Sequence, residues 1–310
     1  MANYEEIVEF TGKFSNIFTK SDYILNQLKK EATLELISQI IDKSNKSVGE
    51  VLVLFLSAIK HLWGDGDVFT ALEEKDSFQA FVRANRDKIV DISIRKTLQS
   101  NLPERALPLF EIFNKKIKDT PTAVIELGAS YGLIGQCLLN PAEVMKKPDR
   151  YFYPGQKIPR DPRPAGYYMG IELSPPEENW LFAGVWMPRD EMRLKHFIKD
   201  IPRDNKTFRL IEASAFGFSA LEPVKKLIAR PITTVVLTSF LFFQLDEEKR
   251  KKLRNEIMEF IHSTGSHWIN ETFKPSMSSG IDESEYFIEW NGKKIIELRD
   301  DWCSDWKWVC

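Results

Sequence analysis

The chain has 310 residues, enough for one large domain or for a core with an accessory region. Its composition is ordinary for a soluble globular protein, and a formal net charge of -2 argues against bulk attraction to nucleic acid or anionic lipid. Cys137, Cys303 and Cys310 form no C-x-x-C pair and predict neither a zinc site nor a disulfide framework. Without a secretory leader or a bilayer-length apolar run, the protein is expected to be cytoplasmic, with no membrane or nucleic-acid partner.

Residues 1–118 are predicted to form a helical accessory or lid region, through which the protein could also form homo-oligomers. Apolar residues recur at three- and four-residue spacing in the segments 4–18, 23–41, 48–63, 68–73, 77–89, 92–98 and 107–117. Ser47 is the expected cap of the third segment. The stretch Gly64-Asp65-Gly66-Asp67 lacks the further ligands and closing Glu of an EF-hand, so it is interpreted as a loop.

Residues 119–310 are predicted to form an α/β domain organised around TAVIELGASYGLIG at 122–135. An apolar run followed by three glycines and an amphipathic stretch predicts a buried strand, a tight turn and a helix. Glycine tolerates positive φ, and its missing side chain would let a ligand lie against bare amides at the helix start. The predicted cofactor-binding residues of this turn are Glu126, Gly128, Ala129, Ser130 and Gly132.

The glycine spacing is G-x-x-x-G, whereas the dinucleotide fingerprint G-x-G-x-x-G needs a glycine where this chain has Ser130. Glu126 stands two positions before the first glycine and is expected to repel phosphate. The E-x-G-x-x-x-G form resembles the first motif of class I S-adenosylmethionine-dependent methyltransferases, whose ligand carries a sulfonium, an ammonium and ribose hydroxyls. The resemblance implies S-adenosylmethionine as the cofactor.

Proline and glycine punctuate residues 140–166, which are interpreted as an insertion that is neither helix nor clean strand, with a short extended excursion at 151–158. It is expected to be either a lid over the ligand crevice or a surface insertion. Residues 167–173 are the predicted second strand, and Glu172 at its end is expected to bind ribose hydroxyls. The offset from the glycine turn is roughly twice the usual twenty residues, which the insertion explains if it loops out.

Four phrases in the same order carry a wider resemblance: FQAFVRANRDKI (78–89), LQSNLPERA (98–106), VIELGASYG (124–132), and GIELSP with GVWMPRDEMRL (170–175 and 184–194). From about residue 78 to its end, the chain resembles an uncharacterised prokaryotic family of domain-of-unknown-function type with a methyltransferase-like core. The resemblance implies a Rossmann-like class I methyltransferase sheet, mostly parallel, but no particular reaction. Members of that family often end in a His-Gly pair before a Trp; this chain has Cys303-Ser304 there, so no role of a terminal histidine carries over.

Further strands are predicted at 208–211, 232–237 and 267–272, with helices at 179–185, 189–199, 223–229 and 246–261. Asn291-Gly292 predicts a closing antiparallel hairpin between 286–290 and 293–298, and the Trp-rich tail is expected to pack back onto the core. Similarity to methyltransferases places Ala213 and Ser214 near adenine and Thr238 at the cofactor edge. The fourth strand ends T-S-F-L-F-F and lacks the Asn/Asp-Pro-Pro-aromatic pattern of many amino-group methyltransferases, so that reaction type is not supported.

Methyl transfer needs donor and acceptor in line and a group that accepts a proton from the nucleophile. Glu271, His196 and Tyr131 are the catalytic candidates, with His267 as a further base. The sequence therefore predicts an S-adenosylmethionine-dependent methyltransferase acting on an unidentified small-molecule or protein substrate. Two alternatives stay open: an inactive methyltransferase-fold binding module, and an α/β enzyme that uses a nicotinamide nucleotide such as NAD, which Ser130 and Glu126 disfavour.

Overall fold

The computed structural model describes residues 5, 7–8, 22–44, 46–64, 67–97, 102–117, 121–185, 188–274, 285–299 and 305–309. The chain divides into two compact units. The first comprises Met1–Gln99 and Glu177–Met192, and the second comprises Ser100–Pro176 and Arg193–Cys310. The first unit is therefore built from two separate stretches of chain, whereas the sequence suggested one boundary at residue 118.

The amino-terminal stretch of the first unit is helical wherever it is described as regular structure. Its helices are α1 (Asp22–Leu28), α2 (Glu31–Ser44), α3 (Val48–Trp63), α4 (Val68–Glu74), α5 (Phe78–Ala84) and α6 (Arg86–Arg95). Their apolar faces bury a common core that includes Ile37, Phe55, Leu72 and Phe78. The expected helix over 4–18 lies almost wholly outside the described residues, as do Asp65 and Gly66 of the expected loop.

Side-chain hydrogen bonds explain the start of α3 and the break between α5 and α6. The Ser47 hydroxyl accepts a hydrogen bond from the Glu50 N–H at 3.3 Å, which starts α3 as expected. The expected single helix over 77–89 is instead interrupted at Asn85. There the side-chain amide of Asn85 donates to the Phe81 carbonyl at 3.0 Å, and a side-chain bond of this kind competes with the helical pattern.

The elements of the remaining chain follow a βα order. They are α7 (Ala106–Lys116), β1 (Thr122–Leu127), α8 (Leu133–Leu139), α9 (Pro141–Met145), α10 (Pro148–Tyr151), β2 (Tyr167–Glu172), α11 (Glu178–Ala183), α12 (Pro188–Asp200), β3 (Phe208–Glu212), α13 (Glu222–Ile228), β4 (Thr233–Ser239), α14 (Glu247–Thr264), β5 (His267–Lys274), β6 (Glu285–Trp290), β7 (Lys293–Leu298) and β8 (Trp306–Trp308). A 3₁₀ turn, Pro103–Arg105, precedes α7.

One eight-stranded sheet forms the frame of the second unit, in the order β3-β2-β1-β4-β5-β6-β7-β8. Strands β1 to β5 pair in parallel, and β5 to β8 pair antiparallel. The expected mixed α/β sheet, mostly parallel with antiparallel strands at its end, is confirmed. In the β6–β7 hairpin, Asn291 and Gly292 have φ values of 50° and 79°, as a type I′ turn requires.

Alternation along the strands separates the two faces of the sheet. Ala123, Ile125 and Leu127 of β1 point to one face, where they share a core with α13 and α14. The other face carries Glu126 and, on the neighbouring strand, Tyr168. Because alternate residues point to opposite faces, the Glu126 side chain points away from the core shared with α13 and α14. It is nevertheless buried, so the second face is also covered by protein at this position.

The insertion after α8 is more regular than expected. Pro141 and Pro148 occupy first-turn positions of the short helices α9 and α10, because a proline there sacrifices no helical hydrogen bond. The extended excursion expected from residue 151 is wrong at its start, where Tyr151 ends a helix. The rest of the insertion, up to Gly166, has no regular secondary structure.

The carboxyl-terminal tail adds a short strand that the sequence did not predict. Trp306 is buried, and the indole N–H of Trp308 donates to the Glu111 carboxylate at 3.1 Å. The tail therefore packs against the second unit at these two residues. Trp302, Cys303 and Cys310 lie outside the described residues.

Within the described ranges, no helix combines the length and the apolar character needed to cross a bilayer.

Candidate functional site

The turn after β1 has a left-handed backbone at alternate positions. Gly128, Ser130 and Gly132 have φ values of 72°, 52° and 77°. Ser130 thus adopts the backbone conformation of the glycine that the sequence lacks, at a cost of about 1–2 kcal/mol for a residue with a Cβ. At position 130 the left-handed φ is therefore present although the glycine is not.

The backbone amides of this turn are already used within the protein. The N–H groups of Gly128 and Ala129 both donate to the Ile171 carbonyl, at 2.9 and 3.3 Å. The Ser130 N–H donates to the Glu172 carboxylate at 2.8 Å, and that of Gly132 to the Ala129 carbonyl at 2.8 Å. The expected row of bare amides facing a ligand is therefore absent at these four positions.

The glycines make room for protein side chains. A Cβ placed on Gly128 would lie 2.9 Å from Leu241, and one on Gly132 would lie 2.8 Å from the Phe208 ring. On Gly135 it would lie 2.2 Å from the ring of Tyr168. These distances are shorter than real Cβ contacts. At Gly132 and Gly135 the nearest atoms belong to aromatic rings, so packing favours glycine, and at Gly128 and Gly132 the positive φ favours it as well.

Glu126 is buried, with 2% of its surface exposed, and its carboxyl group accepts a hydrogen bond from the Tyr168 hydroxyl at 2.5 Å. Burial is the main cause that raises the pKa of Glu126 to about 8; the Tyr168 hydrogen bond opposes the rise and the neighbouring Glu271 adds to it. Glu126 is therefore largely neutral at pH 7. Burial therefore weakens the expected repulsion of phosphate, because it favours the neutral form of the carboxyl group and removes the group from solvent.

Glu172 lies half-buried at the carboxyl end of β2, where its carboxylate is tied to the Ser130 amide. The Ala213 N–H, from the loop after β3, donates to the Glu172 carbonyl at 3.0 Å. Ser214 is exposed, and its hydroxyl accepts from the Phe216 N–H at 3.1 Å, as a turn residue does. The structure thus brings Glu172, Ser130 and Ala213 together at one edge of the sheet, with Leu173 beside them 70% exposed.

Glu271 is fully buried on the same face of the sheet as Glu126, because β4 and β5 pair Ser239 with Glu271. The Ser239 hydroxyl donates to its carboxylate at 2.7 Å. Arg105 lies on the other side, with 3.9 Å between its Nε and the second carboxylate oxygen. The Arg105 guanidinium also stacks 4.1 Å from the centre of the Phe240 ring.

The turn after β4 is strained at Phe240, whose φ is 54°. Thr238, the predicted cofactor contact of this strand, points to the opposite face. There its hydroxyl donates to Asn270 at 2.9 Å and accepts from the Trp268 indole at 3.0 Å. Ser239 is therefore the polar residue at the carboxyl end of β4 whose side chain shares a face with Glu126.

The other predicted bases lie apart from this carboxylate group. The Tyr131 ring lies 4.0 Å from the Arg203 guanidinium, which also donates to the Tyr131 carbonyl at 2.7 Å. His196 is on α12, one turn before Asp200. The pKa of Asp200 is lowered against the opposing effect of desolvation; Arg150 makes the largest lowering contribution and His196 a smaller one. His267 is near the amino end of β5, where burial lowers its pKa and its ring lies 4.6 Å from that of Trp290.

Sequence reasoning chose Thr238 rather than its neighbour Ser239 as the site residue of β4, and it missed the charged pair Glu104 and Arg105. Both members of that pair are at most 9% exposed and come from the 3₁₀ turn before α7. Arg193 of α12 approaches Glu104 at 4.0 Å, and its guanidinium stacks 3.3 Å from the Tyr153 ring centre. The available signal was the motif NLPERA, in which two adjacent charges stand between a proline and an apolar helix.

Among the described residues, no group of three or more His, Cys, Asp and Glu side chains is arranged to hold a metal ion. No protein-family model matches the chain, and no curated protein matches its sequence.

Proposed function

We propose that the protein binds S-adenosylmethionine at the carboxyl edge of β1, β2 and β4 and transfers its methyl group to an unidentified acceptor. The observation that carries the proposal is the half-buried Glu172 carboxylate, fixed by the Ser130 amide beside the glycine turn. From β1 the chain goes to β2 and β3 on one side and returns to β4 on the other, so the direction reverses between β1 and β4. Open parallel sheets bind ligands outside the carboxyl ends at such a reversal.

The chemistry at this edge suits a nucleoside. Glu172 offers carboxylate oxygens of the kind that accept hydrogen bonds from ribose hydroxyls. Leu173, 70% exposed beside it, offers apolar surface against which a base would pack. A carboxylate next to an apolar side chain therefore supports a ligand with a diol and a flat ring.

The sheet favours a nucleoside over a dinucleotide. A dinucleotide fold has two βαβαβ halves and a parallel sixth strand, whereas β6 runs antiparallel to β5. The side chain of Ser130 also stands where the fingerprint glycine allows close approach of a pyrophosphate. Five parallel strands with an antiparallel end support the proposal of a methyltransferase-like sheet.

Glu271 is the proposed proton acceptor. Its carboxylate lies at the carboxyl end of the sheet, where it accepts a hydrogen bond from the Ser239 hydroxyl and lies 3.9 Å from the Arg105 guanidinium. Because Glu271 has no exposed surface, the groups around it must move before an acceptor reaches it. The donor would then be held in line with the nucleophile, which is the main demand of methyl transfer.

Titration calorimetry with S-adenosylhomocysteine and with NAD tests the binding step. We expect the thioether to bind and Glu172→Ala to weaken binding by about 1–3 kcal/mol, because charge-assisted hydrogen bonds are lost. Glu212→Ala is the matched control, since Glu212 is the exposed register partner of Glu172 on β3. Equal affinity in both variants would remove Glu172 from the site, and binding of NAD alone would reject the nucleoside assignment.

A second candidate is a binding module without transfer activity. It is favoured by the packing of Leu241 against Gly128 and of Phe208 against Gly132, which fills space beside the turn. Incubating the protein with a labelled methyl donor and a metabolite extract separates the two functions. Label transfer that Glu271→Gln abolishes supports the enzyme, whereas thioether binding with no transfer to any component supports the module.

A further inference from the structure

The first unit contains a cavity of about 180 Å³ that is unrelated to the sheet edge. Its wall includes Lys60 and His61 of α3, Asn179 and Phe182 of α11, and Glu191 of α12. A cavity of about 150 Å³ is enough to hold benzene, so this one fits a compound of about six to nine non-hydrogen atoms. Polar and charged side chains form much of this wall, unlike that of an apolar packing defect.

Lys60 supplies a buried positive charge to the wall. Its side chain is 6% exposed, and its ammonium donates to the Val185 carbonyl and to the Glu191 carboxylate, the latter at 2.5 Å. An ammonium has three N–H donors, and the residues described here supply acceptors for two of them. The third donor is therefore available to a molecule in the cavity.

Glu191 supplies the balancing negative charge, with a side chain 13% exposed. A carboxylate has about four lone-pair sites, so bonding to Lys60 does not exhaust its capacity to accept. Burying such a pair is costly unless its geometry and further hydrogen bonds compensate. An ion pair of this kind at a cavity wall, where apolar packing would serve stability better, indicates a binding role.

His61 and Asn179 add neutral hydrogen-bonding groups. Burial, and then the nearby Lys96 ammonium, lower the pKa of His61, so its imidazole is neutral at pH 7 and carries one donor and one acceptor. The ring is held edge-on to Trp180, with 5.7 Å between centroids. Asn179 is exposed and carries both a donor and an acceptor at the mouth of the cavity.

From this arrangement we infer that the cavity binds a small zwitterion of the α-amino-acid class. The ligand carboxylate accepts from Lys60, and the ligand ammonium donates to Glu191. The charges of Lys60 and Glu191 sum to zero, so an ion of either sign would leave one charge uncompensated against the wall. A neutral molecule would forgo charge-assisted hydrogen bonds, which are about twice as strong as neutral ones.

The inference stands independently of the proposed methyl transfer, because every wall residue named here belongs to the first unit. Four probes of nearly equal size test it in titration calorimetry of the full chain at pH 7. L-Alanine is the zwitterion, propionate the anion, L-alaninamide the cation and propionamide the neutral molecule. We expect L-alanine to bind at least tenfold more tightly than each of the other three.

Lys60→Met combined with Glu191→Gln removes both charges and leaves no buried charge unpaired, so the helical unit is expected to keep its fold, which circular dichroism checks. This double variant should lose at least tenfold in affinity for L-alanine. Lys43→Met, the same change at an exposed position of α2, should leave that affinity unchanged. The inference is overturned if the double variant binds L-alanine as the wild type does, if propionamide binds equally well, or if L-alanine does not bind.

Discussion

Replacing Glu126 by Gln is expected to stabilise the second unit above pH 8 and to change its stability little near pH 4.5. Glutamine copies the shape of the neutral carboxyl group and still offers an oxygen to the Tyr168 hydroxyl. In the folded chain the pKa of Glu126 is about 8, whereas the ordinary value of 4.5 applies once the chain unfolds. Because the folded state holds the proton more tightly, the stability that Glu126 contributes is complete below pH 4.5 and is lost as the pH rises through 8.

The size of the effect follows from the two pKa values, 8 and 4.5. Each pH unit between them removes about 1.4 kcal/mol, so the wild type loses about 3–5 kcal/mol that the variant retains. The groups that set the folded value besides burial are Tyr168 and Arg105, which lower the pKa, and Glu271 and Glu172, which raise it. All four remain in place in the variant.

Urea unfolding of wild type and Glu126→Gln at pH 5, 7 and 9, with amide exchange of β1 as a reporter of the second unit, measures this difference. Glu143→Gln is the control, because that carboxylate is exposed and pairs with Lys146 at the surface. Its stability should follow the wild type at each pH. Parallel curves for wild type and Glu126→Gln from pH 5 to 9 would refute the neutral, buried carboxyl group.

Two further predictions concern packing and charge around the same face. Gly135→Ala should destabilise the chain by about 1–3 kcal/mol in urea unfolding, because the added methyl group meets the Tyr168 ring. Gly166→Ala is the control; the nearest atom to its added methyl group lies at 3.6 Å, so it should change stability by less than about 0.5 kcal/mol. Equal effects of the two substitutions would contradict the packing role of Gly135. Arg105→Met should cost about 2–4 kcal/mol, because Glu271 stays buried without its guanidinium, and Arg105→Met with Glu271→Leu should recover at least half of that loss. A double variant no more stable than the single one would show that the two charges are not coupled.

The sequence predicted the sheet well because its strands leave strong local signals. The apolar run before Glu126, the β-branched run of β4 and the Asn291-Gly292 turn each specify an element within a few residues. The short strand β8 was not predicted, because its three residues are too few to establish an alternating pattern. The position of β8 is set by its antiparallel pairing with β7, which local sequence patterns do not reveal.

The candidate site was less predictable, because its chemistry depends on the burial of each side chain and on the partners that distant parts of the chain supply. The sequence shows Glu126 as a carboxylate, but only the Tyr168 hydroxyl and the buried layer make it neutral. Arg105 stands about 166 positions before Glu271 in the sequence, so no local pattern joins them. Residues at strand ends, such as Glu172, could be predicted to lie together, because parallel strands bring their carboxyl ends to one edge.

The neutrality of Glu126 changes what distinguishes the possible ligands of this edge. Because that carboxyl group is largely neutral at pH 7, a pyrophosphate would meet little electrostatic penalty from it, and the choice between nucleoside and dinucleotide would depend mainly on shape. The shape is set by the Ser130 side chain, by Leu241 against Gly128 and by the antiparallel β6. Ser130→Gly should therefore leave the affinity for the thioether unchanged. The variant would bind NAD only if the Ser130 side chain were the main steric barrier to it. NAD binding by Ser130→Gly in calorimetry would identify that side chain as the selective element, and its absence would assign selectivity to the sheet and to Leu241.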